Sequence, residues 1–434
     1  MANTYLTRTP SSAGNRRTWT WSSWIKRSTT GSEYVYSWGY NEHNVDGFNF
    51  DSNDKINVWG YQSGTNYSLL TNRRFRDVNG WYHIVIKYDS TQATASNRLK
   101  IYVNGVQETS FSPETYPNQN HEALVNNTIA NRIGQFGWNN DDYFSGVISH
   151  IHFIDGTAYE PSTFGSTDST TGEWQINTSP TISSYGTNGF FLLKDGNTIT
   201  DQSPNSNNYT LAGGTLTKTE DCPSNVFATG NPLNQPHSDY VLTQGNNTIT
   251  LGGGTEKKAG SATIGVASGK FYWEVKLLSQ SAETYCTIGI SGASDLESGI
   301  AGSQSTDYFY RGQNGQLKYN NTAISYGVTW GVGDIIGVAL DCTSAQNTLT
   351  FYKNGASQGA INIISASSTP NGVYLPSCAK QASSTPVFNF NFGNGYFGTT
   401  AVSSAGTNAS GNGIFEYDVP SGGYTALSTK GLNT

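Results

Sequence analysis

Apolar and polar side chains alternate along several short runs of the chain. In residues 269–277 every second residue from Phe271 to Leu277 is apolar, and runs at 99–103 and 387–392 show the same period of two. Successive side chains of a β-strand point to opposite faces of a sheet, so this period predicts half-buried strands. Long stretches with the 3.6-residue spacing of an amphipathic helix do not occur. The pattern therefore predicts an all-β fold.

Two Asn-Gly pairs mark sharp turns between strands. Asn104-Gly105 and Asn354-Gly355 each follow a strand-like run directly. This dipeptide favours a two-residue hairpin turn whose central residues need positive φ. Many short strands separated by Gly, Asn and Ser are typical of antiparallel β-sandwiches.

Length and composition extend this picture to two sandwiches. The chain has 434 residues, and aromatic residues make up 13% of them, so large rings fill the predicted cores. The stretch 222–236 contains three prolines and no alternation, which indicates a linker. We therefore predict two tandem domains, residues 1–227 and 228–434.

The charge pattern narrows the range of partners. The net charge is −7, and Lys and Arg form no cluster that could neutralise phosphates, so we expect no nucleic acid partner. No run approaches 18 apolar residues and the opening residues lack the apolar stretch of a signal peptide, so we expect neither membrane insertion nor export by that route. The four cysteines lack C-x-x-C spacing, which predicts buried free thiols and no zinc site.

The first half of the chain resembles a known family. Residues 17–28 read RTWTWSSWIKRS, the run WYHIV is followed by LKIYVNG, and residues 143–164 read YFSGVISHIHFIDGTAYEPSTF. In this order these runs resemble a laminin-G-like, concanavalin-A-like domain. Particular segments of the sequence are similar to structural proteins of tailed phages, notably marine ones. These segments are HFIDG and, within residues 184–232, GTNGFFLL and PSNVFATGNPL.

The second half resembles a SPRY domain. The runs that carry this resemblance are GKFYWEVKL, CTIGIS, GDIIGVALD and NTLTFYKNG, and they stand in the order typical of the family. Both resemblances imply antiparallel sandwiches of the concanavalin-A-like jelly-roll type. They also imply binding or structural modules, although a fold by itself does not fix a function.

Catalytic patterns are weak along the chain. Glycosidases need two carboxylates about 5–9.5 Å apart, whereas the strand at 269–277 carries only Glu274. His150 and His152 share a strand face and could bind a metal with a third ligand; the alternative is a pair of partly exposed sheet residues. We therefore expect no enzymatic activity and no cofactor other than calcium.

Calcium is the one metal that the first resemblance implies. Laminin-G-like domains hold calcium on loop Asp and backbone oxygens, so Asp141 and Asp142 are candidate ligands, and the alternative is that they cap turns. Further candidates of the same kind are Asp46, Asp51 and Asp54.

Exposed aromatic side chains are the candidate ligand-binding residues. A ring platform flanked by amides and hydroxyls suits a glycan or a peptide, and the alternative is that these rings are buried. The candidates are Trp59, Tyr61, Trp138, Tyr308, Tyr310 and Arg311.

Together these patterns favour a non-catalytic phage virion surface protein, either a capsid decoration or a head or tail fibre component. Its expected partners are other virion proteins of the capsid or tail, a host cell-surface glycan, and further copies of itself as a homo-oligomer. Two alternatives stay open: a carbohydrate-active enzyme or its accessory module, and an intracellular peptide-binding SPRY adaptor.

Overall fold

The computed structural model describes most of the chain, namely residues 3–78, 80–137, 141–194, 198–234, 240–252, 258–281, 286–292, 301–344, 346–380 and 384–433. Nearly all regular structure is antiparallel β-sheet, so the predicted all-β fold with tandem sandwiches is confirmed. No described helix has the length and apolar character that a membrane crossing requires.

The chain divides into two compact units, Met1–Lys218 and Thr219–Thr434. The sequence pattern places the junction after residue 227 instead. Residues before that point already bond to the C-terminal end of the second unit, because Val226 N donates to Thr429 Oγ1 at 3.0 Å. Ala228 N continues this pairing by donating to Leu427 O at 3.0 Å.

The first unit is a sandwich of an eight-stranded and a six-stranded sheet. The strand orders are β10-β6-β5-β4-β3-β11-β1-β16 and β15-β12-β2-β7-β8-β9, and β13 and β14 form a separate hairpin. The described strands are β1 (Tyr5–Arg8), β2 (Thr18–Arg27), β3 (Glu33–Asn41), β4 (Asn44–Phe50), β5 (Ile56–Gln62), β6 (Thr65–Thr71), β7 (Tyr82–Asp89), β8 (Leu99–Val103), β9 (Val106–Gln107), β10 (Phe111–Thr115), β11 (Asn131–Ile133), β12 (Gly146–Asp155), β13 (Gly165–Thr167), β14 (Trp174–Ile176), β15 (Phe190–Leu192) and β16 (Thr210–Gly213), with 3-10 turns at Ala95–Asn97 and Pro161–Thr163.

Aromatic rings fill the space between these two sheets. Trp21 of β2 stacks on Tyr36 of β3 with ring centroids 4.1 Å apart, and Trp38 and Phe153 complete the contact. All four side chains are buried. Stacked rings of this size bury a large apolar area per residue, as the aromatic-rich composition predicts.

The outer face of the six-stranded sheet is covered as well. Residues 157–188, which we call the first cover, include the β13–β14 hairpin and pack over Val85, Tyr102 and Ile154. Trp174 of this cover lies over Gly105, where a Cβ atom would come within 2.4 Å of the indole ring. The predicted Asn104-Gly105 turn has positive φ at both residues, 49° and 78°.

The second unit repeats the two-sheet plan. Its larger sheet runs β17-β18-β29-β20-β25-β26-β27, with β32 parallel to β20, and its smaller sheet runs β19-β28-β21-β22-β23-β24. The described strands are β17 (Tyr240–Thr243), β18 (Thr248–Leu251), β19 (Lys258–Ser261), β20 (Lys270–Ser279), β21 (Thr287–Ser291), β22 (Asp307–Arg311), β23 (Gln316–Tyr319), β24 (Thr322–Ser325), β25 (Ile335–Asp341), β26 (Asn347–Lys353), β27 (Ala356–Ile363), β28 (Leu375–Lys380), β29 (Val387–Asn391), β30 (Tyr396–Phe397), β31 (Thr400–Ala401) and β32 (Thr425–Ala426), with a 3-10 turn at Ala366–Ser368 and an α-helix at Thr429–Leu432.

The larger sheet of the second unit also has a covered outer face. Residues 413–424, the second cover, pack Phe415 against Tyr272 with ring centroids 5.0 Å apart. Tyr417 lies over Gly355, where a Cβ atom would come within 2.7 Å of its ring. Cys222, Cys286, Cys342 and Cys378 are all free, and the last three are buried, as predicted.

Candidate functional site

Trp59 and Tyr61 lie on the outer face of the eight-stranded sheet. Trp59 Nε1 donates to Asn49 Oδ1 at 3.1 Å, and its ring lies 6.2 Å from that of Phe136. Both candidates are half-buried against Tyr34, so each leaves only part of its ring to solvent. They occupy one apolar cluster, and their role in ligand binding stays a prediction.

The predicted calcium ligands sit near the same cluster. Asp141 and Asp142 are exposed, and their backbone oxygens accept from Phe136 N at 3.2 Å and Tyr34 N at 3.0 Å. Burial and then the charge of Asp141 raise the pKa of Asp142. Within the described residues no three His, Cys, Asp or Glu side chains form a group that could hold a metal. Trp138 lies outside the described residues.

The other candidate carboxylates accept hydrogen bonds or form ion pairs within the first unit. Asp46 Oδ2 accepts from Leu124 N at 2.7 Å, and Asp51 Oδ1 accepts from Lys55 N at 2.8 Å within its own turn. Asp54 is paired with the buried guanidinium of Arg27 at 3.0 Å. Burial raises the pKa of Asp46 to about 7.

The two histidines of β12 are not exposed. His150 Nδ1 lies 2.7 Å from Ser149 Oγ. His152 Nδ1 lies 2.9 Å from the hydroxyl of Tyr185, which belongs to the first cover. The expectation of partly exposed sheet residues is wrong, because both rings are at least 92% buried. Burial and then the neighbouring histidines lower the pKa of His152 well below its usual value.

Tyr308 and Tyr310 belong to the core of the second unit. The sequence suggested a loop platform, but both lie in β22 and are at most 5% exposed. Tyr310 OH donates to Val328 O, and Tyr308 OH accepts from Ile364 N at 3.2 Å. The strand is buried on both faces, so its rings cannot form an exposed surface.

Arg311, at the end of β22, is half-buried and lies beside a loop that the sequence did not single out. Gly312 O accepts from Trp330 N at 2.9 Å, which places residues 326–334 next to the arginine. We call these residues the Trp330 loop. Arg311 Nη1 contacts Gln316 Oε1 at 3.4 Å.

The Trp330 loop exposes apolar side chains on a fixed backbone. Val328 and Val332 are each 56% exposed, while Trp330 between them is buried. Gly333 N donates to Leu277 O at 2.8 Å, which brings the backbone of Val332 near that of Leu278, a residue that is 51% exposed. Large exposed apolar side chains that cluster on one surface indicate a binding site more than isolated ones do.

Polar contacts hold this loop from behind. Lys353 Nζ donates to Thr329 O at 2.8 Å, and Gly331 N donates to Asp334 Oδ2 at 2.9 Å. Burial raises the pKa of Asp334, but hydrogen bonds from Gly331 and Asn354 and the Lys353 charge bring it below its usual value. A loop fixed before binding loses little conformational entropy when a ligand arrives.

The sequence contained a signal for this site. Valine recurs in the Gly-rich segment GVTWGVGD, where no strand alternation requires it. Apolar residues in a turn, where no strand pattern accounts for them, are candidates for a binding surface.

Comparison with known proteins agrees with both halves of this fold. Residues 2–162 match the concanavalin A-like lectin/glucanases superfamily, and residues 270–394 match the SPRY domain. Among solved structures the SPRY domain of human HERC1 is 20% identical, with a TM-score of 0.31, and the match covers 37% of this chain and 96% of that one.

Curated relatives are Ran-binding proteins. Ran-binding protein 9 of Xenopus tropicalis is 35% identical over 112 residues, which is 25% of this chain and 20% of that protein. Ran-binding protein 10 of Danio rerio is 35% identical over 98 residues, 22% of this chain and 16% of that protein. The chain thus spans about a fifth of the length of these relatives.

These relatives correct the functional expectation. The hypothesis of a phage virion surface protein is wrong, because the matching curated proteins are Ran-binding proteins 9 and 10 of animals. They agree better with the alternative of an intracellular SPRY adaptor. The family models and the two observed units lead to one conclusion: the chain carries a concanavalin A-like domain followed by a SPRY domain.

Proposed function

We propose that this chain is a non-catalytic intracellular adaptor whose SPRY domain binds a segment of a partner protein. The observation that carries the proposal is the Trp330 loop, which exposes Val328 and Val332 on a backbone fixed by Lys353 and Asp334. The matched relatives are named for binding a protein, Ran, and this supports a protein partner.

The chemistry of the site suits an apolar peptide segment. Val328, Val332 and Leu278 offer aliphatic contact area for such a segment. The buried carboxylates of the same unit are engaged with protein donors, as in Asp307, which accepts from Ser291 Oγ at 2.6 Å. This supports binding without turnover.

The state of the cysteines supports an intracellular location. All four are free thiols; Cys378 lies buried in β28, and Cys286, also buried, directly precedes the neighbouring strand β21. Unpaired thiols are usual in reducing compartments, whereas exported proteins of this size often carry disulfides.

The test is to pan a phage-displayed library of random 12-residue peptides on the full chain and on Val328→Asp. We expect the wild type to enrich peptides rich in apolar residues, and the variant to bind them at least about tenfold more weakly, because the aspartate brings a charge into the apolar contact. Val106→Asp, at a 67% exposed valine of the first unit, is the matched control and should bind like the wild type. The proposal fails if the wild type enriches nothing, or if Val328→Asp binds the enriched peptides equally well.

A further inference from the structure

Arg8, at the end of β1, is a half-buried arginine that forms no ion pair with any described carboxylate. Its Nη2 donates to Asn207 Oδ1, whereas its Nη1 is buried and has no hydrogen-bond partner among the described residues. The buried Arg27 of the same unit, in contrast, pairs with Glu33 and Asp54. A guanidinium keeps its charge at every accessible pH, so a buried N–H of Arg8 without a counter-ion is unfavourable.

Asn131 of the neighbouring strand β11 adds a second buried donor. Arg8 and Asn131 are opposite each other in the ladder, and Leu6 and Ile133, two residues away on the same face, lie in the core. Both polar side chains therefore point into the sandwich. Asn131 is fully buried, and its Oδ1 accepts from Tyr209 OH. Its Nδ2 has no hydrogen-bond partner in the part of the chain that the structure describes.

Two tyrosine hydroxyls lie near the guanidinium. Tyr36 and Tyr209 are each 4% exposed. Burial and then the Tyr209 hydroxyl raise the pKa of Tyr36, and the Arg8 charge lowers it. Burial likewise raises the pKa of Tyr209, and Arg8 again lowers it. The net direction is upward for both, so both hydroxyls stay protonated and neither supplies a negative charge to Arg8.

The carboxylate of the loop that contacts Arg8 is engaged elsewhere. Asp201 accepts from Ser203 Oγ at 2.8 Å and from Asn207 N at 2.7 Å. It therefore orients Asn207 and reaches Arg8 only through that residue. Arg8 and Asn131 together thus offer two buried N–H donors and one positive charge.

We infer that the first unit binds a compact monovalent anion, chloride in the simplest case, between Arg8 Nη1 and Asn131 Nδ2. An anion accepts from both N–H groups and neutralises the guanidinium, whereas a water molecule would also need acceptors for its own two hydrogens. Arg8 is partly exposed and β1 lies beside the edge strand β16, which gives an ion a route from solvent.

The test is hydrogen exchange of the full chain in sodium chloride and in sodium gluconate of equal ionic strength, followed in β1 and β11. A ligand that binds only the folded state slows exchange by the factor 1 + [L]/Kd. With a Kd of about 0.1 M or lower, about 0.2 M chloride should slow exchange at least about threefold relative to the bulky gluconate.

Asn131→Asp is the decisive variant, because its carboxylate supplies the negative charge from the chain itself and still accepts from Tyr209 OH. Its exchange should be slow in both salts, with no chloride effect. Arg8→Gln should also lose the chloride effect, because the positive charge is gone.

The matched control is Arg98→Gln, which removes an arginine whose Nε, Nη1 and Nη2 all donate to backbone oxygens. This variant should keep the chloride effect. Equal exchange of the wild type in the two salts would overturn the inference, and so would an Asn131→Asp protein that responds to chloride as the wild type does. Loss of the chloride effect in Arg98→Gln would overturn it as well, because the effect would then not arise at Arg8.

Discussion

Each unit buries one ionisable side chain beneath the segment that covers a sheet, a base in the first unit and an acid in the second. In each, a segment with little regular structure covers the outer face of a sheet and places an aromatic ring over the glycine of an Asn-Gly turn, Trp174 over Gly105 and Tyr417 over Gly355. Beneath the first cover lies a histidine, and beneath the second a glutamate. Burial therefore keeps a base unprotonated in one unit and an acid protonated in the other.

His83 is the buried base of the first unit. Its ring lies between Trp24 and Trp174, with centroids 4.8 and 5.9 Å away. Trp174 Nε1 donates to His83 Nδ1 at 2.9 Å, so Nε2 carries the proton toward Ser22 Oγ. Burial lowers the pKa of His83 to about 3.

Glu274 is the buried acid of the second unit. Its carboxylate accepts from Glu416 N at 2.8 Å and Tyr417 N at 2.9 Å, and this attaches the second cover to β20. Tyr272 OH and Asn391 Nδ2 are further donors at 3.2 and 3.3 Å. Burial outweighs these hydrogen bonds and raises the pKa of Glu274 to about 7. A polar residue on a strand is therefore no evidence for an exposed face.

The largest expected effect is acid sensitivity of the first unit through His83. Below the ordinary pKa of 6.5 the His83 ring is protonated in the unfolded chain, whereas in the folded chain it stays neutral down to about pH 3. The free energy of unfolding therefore falls as pH falls. At about 1.4 kcal/mol per pH unit, the loss reaches about 4 kcal/mol by pH 3.5. His83→Asn should flatten this slope in urea unfolding of the full chain, whereas His43→Asn, at an exposed histidine, should keep it. An unchanged slope in His83→Asn would contradict the comparison.

Glu274 should give the opposite dependence in the second unit. Between pH 4.5 and about 7 the folded carboxyl keeps a proton that the unfolded chain has released, so stability falls as pH rises, by about 3 kcal/mol in total. Glu274→Gln does not titrate and should remove this slope. The control is Glu416→Gln, which replaces a carboxylate that accepts from Ser403 N at 2.7 Å near the surface; this variant should retain the slope. Equal pH slopes in the Glu274→Gln and wild-type proteins would refute the role of the buried acid.

The turn glycines provide the smallest and most specific test. Gly105→Ala and Gly355→Ala should each destabilise their unit by about 2 kcal/mol, because the backbone φ is positive and the new methyl group displaces the covering ring. Gly372→Ala has a φ of 70° with nothing within 4 Å, so it isolates the backbone strain and should cost about 1 kcal/mol in thermal or urea unfolding. Equal losses in all three variants would mean that the rings do not press on the turns.

Local pattern predicted the strands and turns of both units. The alternation from Phe271 to Leu277 lies within β20, and both Asn-Gly turns have the expected positive φ. In each turn the asparagine side chain accepts from the strand opposite, Asn104 from His83 N at 2.8 Å and Asn354 from Ile335 N at 2.9 Å. These features depend on neighbouring residues, which the sequence displays directly.

The covers and the candidate site could not be predicted in the same way. The covers have no period, and their contacts join residues far apart, as Glu274 and Tyr417 do. Tyr308 and Tyr310 suggested an exposed platform because the sequence does not reveal that β22 is buried on both faces. Val328 and Val332 were visible in a glycine-rich segment, but their exposure follows from the fold around Trp330.

Hydrogen exchange of the full wild-type chain at pH 5 and pH 8, corrected for the intrinsic exchange rates, tests the central claim most directly. Protection within residues 157–188 should be higher at pH 8, because His83 and His152 are then neutral in the opened state as well, and burying them neutral carries no free-energy cost. Protection within residues 413–424 should be higher at pH 5, because Glu274 then holds its proton at no cost. Changes of opposite sign in the two covers would support the account, and changes of the same sign would contradict it.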